Sequence, residues 1–95
     1  MKSLLNSESG TCYICGCYGL THKHHIFGGA NRKHSEDFGL FVYLCPPHHN
    51  MSDKSVHFDK GIRKWIQTEG QEAFEQIYGH DKFMKIFGKN YKEAE

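Results

Sequence analysis

The stretch CPPHHN, residues 45–50, sets one thiol, two prolines and two adjacent imidazoles within six positions. Pro46 and Pro47 end a preceding strand and suit the first turn of a helix, where a missing amide hydrogen costs nothing. His48 and His49 therefore stand at a helix start. Two imidazoles side by side directly after a cysteine are either a histidine-rich helix start or a pair that serves two different metal sites. Working outward from this stretch decides between them.

Upstream, Cys12 and Cys15 lie two residues apart with glycines at 16 and 19, the composition of a tight knuckle around a metal-bound sulfur. Cys45 and His48 repeat that spacing after 29 intervening residues. Cys-x2-Cys followed by Cys-x2-His makes a closed tetrahedral zinc site of three thiolates and one imidazole, with no vacancy for water and hence a structural role. Cys17 is read as a bystander thiol. If His48 serves zinc, His49 is free for a second site, with His24, His25 and His57 as partners. Strand neighbours point to opposite faces, so His24 and His25 need different tasks.

Composition agrees with metal rather than disulfides. A chain of 95 residues buries only roughly 60 to 65% of its unfolded surface, so an extra cross-link is expected. The start, MKSLLNSESG, has no apolar run of signal-peptide length, and no stretch is long enough to span a membrane, which sets the expectation of a cytoplasmic protein with reduced cysteines. The formal net charge of +1 excludes nucleic-acid binding by bulk attraction, so any polyanion site is local. Residues 1–50 hold six of the eight histidines and only seven charged residues, whereas residues 51–95 hold eight basic and eight acidic groups. The chemistry belongs to the first half and a solvated helical scaffold to the second.

The coarse reading is one domain over residues 1–95. Residues 1–11 are expected to be a flexible arm. THKHHIF reads as a strand stopped by Gly28 and Gly29, and GLFVYLC as a second strand. Between them GGANRKHSEDF is a long polar connection. Phe58, Ile62, Trp65 and Ile66 recur at helical spacing with Asp59 as cap and Gly70 as stop. Ala73, Phe74, Ile77 and Tyr78 continue that spacing to Gly79, and HDKFMKIFG forms a last helix capped by Asp81. Trp65, Phe74, Tyr78, Phe83 and Phe87 are read as core. A two-stranded hairpin is marginal alone, so these helices close over it. His22, His34 and His80 match no pattern and are read as surface or satisfied core residues.

HKHHIFGG, a strand ending in Cys45, then HHN and a further histidine together resemble the HNH endonuclease family. Within residues 12–57 the pattern is most similar to its short phage and prophage members of the recombination-enhancement type. The resemblance implies an α+β fold: a zinc-pinned ββα-metal hairpin and helix over 12–57, with a C-terminal helical cluster over 58–95. It implies that His24 and His49 bind the catalytic ion and that His25 is the general base. Helical spacing alone favours Asp53 as third ligand, because it shares the face of His49, whereas His57 lies about 80° round the helix. The resemblance of VHFD to the corresponding segment of short phage members favours His57, and requires the helix to break near residues 52–55. The family's asparagine before the second strand is absent, since residues 39–41 read Gly-Leu-Phe; Asn31 is the candidate to replace it and to orient His25.

Hydrolysis of a phosphodiester needs an activated water, charge neutralisation at phosphorus and a stabilised leaving oxygen. A divalent ion meets the last two needs and a neutral imidazole the first. The expected cofactors are one structural zinc and one catalytic divalent ion; imidazole ligands favour manganese, nickel or zinc over magnesium in affinity. Arg32 and Lys33 are candidates for substrate phosphates, with Lys54 assisting; Arg32 is the stronger, because guanidinium matches phosphate with paired donors. The expected partners are DNA, without a membrane, and a second copy or a recombination or replication protein in the bacterial host cytoplasm. The alternative is a non-catalytic, zinc-stabilised nucleic-acid-binding module.

Overall fold

The two strands pair where the aromatic and branched residues cluster. In the computed structural model, which describes residues 2–50 and 55–92, β1 is His22–His25 and β2 is Phe41–Leu44. They are antiparallel, with His22 opposite Leu44, Lys23 opposite Tyr43, His24 opposite Val42 and His25 opposite Phe41. A four-residue ribbon is too small to stand alone. Val42 and Leu44 are wholly buried and join a core with Ile26, Phe27, Ile66, Phe74, Phe83 and Phe87.

The connection between the strands is helical rather than the long polar loop its composition predicts. A 3-10 turn over Gly29–Asn31 leads into α1, Arg32–Asp37. No apolar period marks this helix, because it is anchored by a hydroxyl. Ser35 is fully buried; its Oγ donates to the Phe27 carbonyl at 2.8 Å and accepts from the Phe27 amide at 3.0 Å. That pair stands in for an apolar contact and fixes α1 against the end of β1.

After β2, α2 spans only Pro46–His49, with both prolines in its first turn as expected. It ends ahead of the break anticipated at residues 52–55, and Asp53 and Lys54 lie outside the described residues. Ser55 to Asp59 turn back, and the Val56 amide donates to the His48 carbonyl at 2.8 Å. Asp59 then caps α3, accepting from the Ile62 amide at 3.0 Å.

Helix α3 runs unbroken over Lys60–Tyr78, so Gly70 is not a stop. Gly70 is buried, and a Cβ on it would come within 3.1 Å of two carbons of Ile26 and 3.5 Å of the Phe27 ring. The missing side chain lets α3 approach the end of β1. The stop is Gly79, at φ +89°, which also caps α4, His80–Phe87, in place of Asp81. Phe74, Phe83 and Phe87 are core as expected, but Trp65 and Tyr78 are 44% and 40% exposed. Trp65 covers Tyr13 on the outside, with ring centroids 5.7 Å apart.

Over residues 3–7 the N-terminal arm lies against β2 and the turn that leads into it. Ser3 is buried and donates to the Phe41 carbonyl, the Leu4 amide donates to the Gly39 carbonyl at 2.8 Å, and Ser7 accepts from the Tyr43 amide at 2.8 Å. Gly39 makes this approach possible: its φ is +72°, and a Cβ there would lie 2.7 Å from the Lys2 carbonyl oxygen. Gly39→Ala is expected to cost about 1–3 kcal/mol through strain and displacement of the arm, read as a lower urea midpoint.

Candidate metal centres

The first centre is assembled by the knuckle and the start of α2. Gly16, at φ +74°, donates its amide to the Cys12 carbonyl at 2.9 Å, and the Cys12 amide bonds to the Cys17 carbonyl at 3.0 Å, closing a turn around Cys12 and Cys15. Tyr13 ties the turn to β2 through the Tyr43 carbonyl at 2.8 Å. On the other side, the Cys45 carbonyl accepts from the amides of His48 and His49.

The ligand atoms of Cys12, Cys15, Cys45 and His48 all lie within 4.8 Å of one another. Cys15 Sγ is 3.8 Å from Cys45 Sγ, and His48 Nδ1 is 3.7 Å from Cys12 Sγ and 3.2 Å from Cys45 Sγ. A tetrahedron with zinc–sulfur bonds of about 2.3 Å has sulfur–sulfur edges of about 3.8 Å and slightly shorter sulfur–nitrogen edges. The donor set and its spacing fit a structural zinc. Cys17 is exposed and stands outside the cluster.

The thiols differ in proton affinity. Burial pushes Cys45 up to about 11, assisted by the neighbouring thiols of Cys12 and Cys15 against the His48 amide. The backbone amide of Cys17 draws Cys15 down to about 7. Burial raises Cys12, but hydrogen bonds from the backbones of Cys45, Cys15 and Ile14 outweigh it and leave it lowered. Zinc takes thiolates, so binding expels whatever protons remain. Affinity is therefore expected to rise with pH, more steeply below about 7, where Cys15 must also deprotonate, than above it. Competition with a chromophoric chelator over about pH 6–8 reads this slope. A flat profile contradicts the thiolate ligand set.

The second centre forms where β1, α2 and the turn after residue 55 meet. His24, His49 and His57 bring ring nitrogens within 4.8 Å of one another, and His49 Nε2 lies 3.2 Å from His57 Nε2. Two imidazoles on one ion, at about 2.1 Å each, sit about 3.0–3.4 Å apart. Burial holds His24 down to about 3, with His49, His57 and His25 adding to the effect, and burial also lowers His49. A ring that stays neutral keeps a lone pair for a metal.

Strand alternation separates the histidine pair. Lys23 and His25 face α1 instead of the cluster. His25 Nε2 is 2.8 Å from Glu36 Oε1, and Arg32 Nε lies 3.4 Å from His25 Nδ1. Lys23 binds both oxygens of Glu36, at 2.7 and 2.9 Å. Asn31 does not orient His25; its side-chain amide donates to the Phe87 carbonyl at 3.2 Å. Lys33 is exposed, and the groove along the second centre is lined by Arg32 and Arg63 but not by Lys33.

Three residues of this surround escape a motif reading. His22 shares the face of His24, and its Nδ1 stands 3.1 Å from His49 Nδ1, so it helps fix the ring whose Nε2 meets His57. Its position two before His24 was the available signal. Glu36 lies four after Arg32, on one face of a helix. Arg63 donates to the His57 carbonyl at 3.3 Å and holds the turn that carries that histidine. No described helix is long and apolar enough to cross a membrane. No family model, no curated protein and no solved structure matches this chain.

Proposed function

We propose that the protein is a metal-dependent endonuclease of the HNH type that hydrolyses DNA phosphodiester bonds. The observation that carries this reading is the division of labour at β1. His24 joins His49 and His57 in a three-imidazole cluster, while its neighbour His25 stays outside the cluster, on the opposite face and beside the same groove. The order of strand, connection, strand and short helix, pinned by a Cys3His site, agrees with the ββα-metal arrangement that the motif resemblance implies.

A divalent ion held by His24, His49 and His57 would neutralise charge at phosphorus and on the departing oxygen. His25, kept off the ion, takes a proton from water; the water oxygen bonds to phosphorus, the bond to the 3′-oxygen breaks, and that oxygen takes a proton from a second water, leaving a 5′-phosphate and a 3′-hydroxyl. Arg32, in the groove beside His25, offers paired donors to the scissile phosphate. Arg63, on the same groove, can neutralise a neighbouring one. Two arginines beside one cleft supply the local positive charge that a net charge of +1 does not. By resemblance, the setting is phage recombination or replication in a bacterial cytoplasm.

The test is nicking of supercoiled plasmid with manganese or magnesium, with and without chelator, comparing the parent with His25→Ala. Nicking that needs the ion and His25 supports the reading. A parent that binds both metals yet never nicks leaves the zinc-stabilised binding module in its place.

A further inference from the structure

Resting on that reading, we infer that Glu36 is the positioning residue for His25, holding its imidazole with the proton on Nε2 so that Nδ1 is the nitrogen that accepts a proton from water.

Two partners grip the ring, and both demand the same tautomer. Glu36 Oε1 meets Nε2 at 2.8 Å. Its carboxyl is kept ionised, drawn down to about 2 by hydrogen bonds from Lys23 and then from His25, so it can only accept and Nε2 must carry the hydrogen. Arg32 Nε meets Nδ1 at 3.4 Å. A guanidinium has no lone pair to offer, so Nδ1 must be the acceptor. Arg32 and Glu36 are four residues apart on α1, one turn of helix, and reach the two ends of one imidazole.

The carboxylate is itself fixed. Lys23, two residues before His25 on the same face of β1, binds both of its oxygens, and the ammonium rests 4.0 Å from the centre of the buried Phe41 ring. His25 and Arg32 both line the groove beside His24, His49 and His57, so the unprotonated nitrogen that Arg32 covers adjoins the side where substrate enters. The contact from Arg32 is long for a hydrogen bond, so a phosphate oxygen outcompetes the imidazole for that guanidinium and uncovers Nδ1 as substrate binds.

The experiment uses the zinc-loaded protein in mildly alkaline buffer and compares the parent, Glu36→Gln and Glu36→Ala. Long-range proton–nitrogen NMR correlations read the His25 tautomer, and plasmid nicking at varied substrate reads kcat and KM separately. The parent is expected to show a single tautomer with hydrogen on Nε2. Glu36→Gln retains it, because the amide oxygen still accepts. Glu36→Ala mixes the two tautomers and lowers kcat on the order of 10- to 100-fold, with KM and metal content unchanged. A parent with the hydrogen on Nδ1, or a Glu36→Ala protein that keeps the parent's tautomer or kcat, overturns the inference. A parent that never nicks removes the nuclease reading, while the tautomer still decides whether Glu36 holds the ring.

Discussion

Replacing Cys45 by alanine is expected to leave the chain unfolded at room temperature, with its zinc lost. Cys45 closes β2, precedes α2 and contacts both Cys15 and His48. Without its thiolate the knuckle carrying Cys12 and Cys15 is no longer joined to the strand and helix. Structural zinc contributes on the order of 10–16 kcal/mol in small metallo-domains, comparable to or larger than the roughly 5–15 kcal/mol that separates folded from unfolded states of a whole domain. Losing even half of that contribution exceeds what a small core can supply. Circular dichroism melting with parallel zinc analysis checks the prediction, and parent protein treated with chelator must reproduce the variant. Cys17→Ala is the internal control, since that thiol stands outside the cluster and its loss leaves both melt and zinc content unchanged. A Cys45→Ala protein that melts cooperatively near the parent's temperature would show that the helices alone stabilise the hairpin.

His25→Ala is expected to lower plasmid nicking by about 10²- to 10⁴-fold, the range for removal of a general base. Metal content and melting temperature should stay close to those of the parent, because the side chain belongs to neither ligand cluster. Its contacts with Glu36 and Arg32 lie at a solvent-exposed edge of α1, where pairs contribute little to stability. Glu36 is not stranded by the change, for Lys23 still holds both its oxygens. The combination of lost cutting with intact metal and fold separates a base from a ligand. A variant that loses the second ion along with activity would mean that the two histidines of β1 share one task.

The sites were more legible in the sequence than the elements that frame them. Paired spacings identified Cys12, Cys15, Cys45 and His48, because a metal fixes both ligand type and interval, and the four come together. Strand alternation separated His24 from His25. Helix α1 was not legible, because its one buried residue is Ser35, satisfied by the backbone of Phe27, and a serine in a polar run carries no periodic signal. Gly70 was read as a stop because helix propensity disfavours glycine, whereas contact with Ile26 is what decides that position. His57 illustrates the same limit: helical spacing gave it no support, yet a turn bonded to the His48 carbonyl brings its ring beside His49, while Asp53 lies outside the described residues. Local rules read what a residue prefers. The framing helices are set by what packs against them.

The way residues 3, 7 and 13 engage the second strand bears on what its outer edge can pair with. Phe41 and Tyr43 aim their backbone groups away from β1, and a ribbon of two strands would ordinarily leave such a row open to any passing chain. Here two serine hydroxyls and the amide of Tyr13 occupy it, one contact at a time and without the flat, repeated spacing that another copy could extend. The leading segment thus acts as a selvedge on the β2 edge of the sheet, and trimming it away would bare a seam along which molecules could stitch together into aggregates.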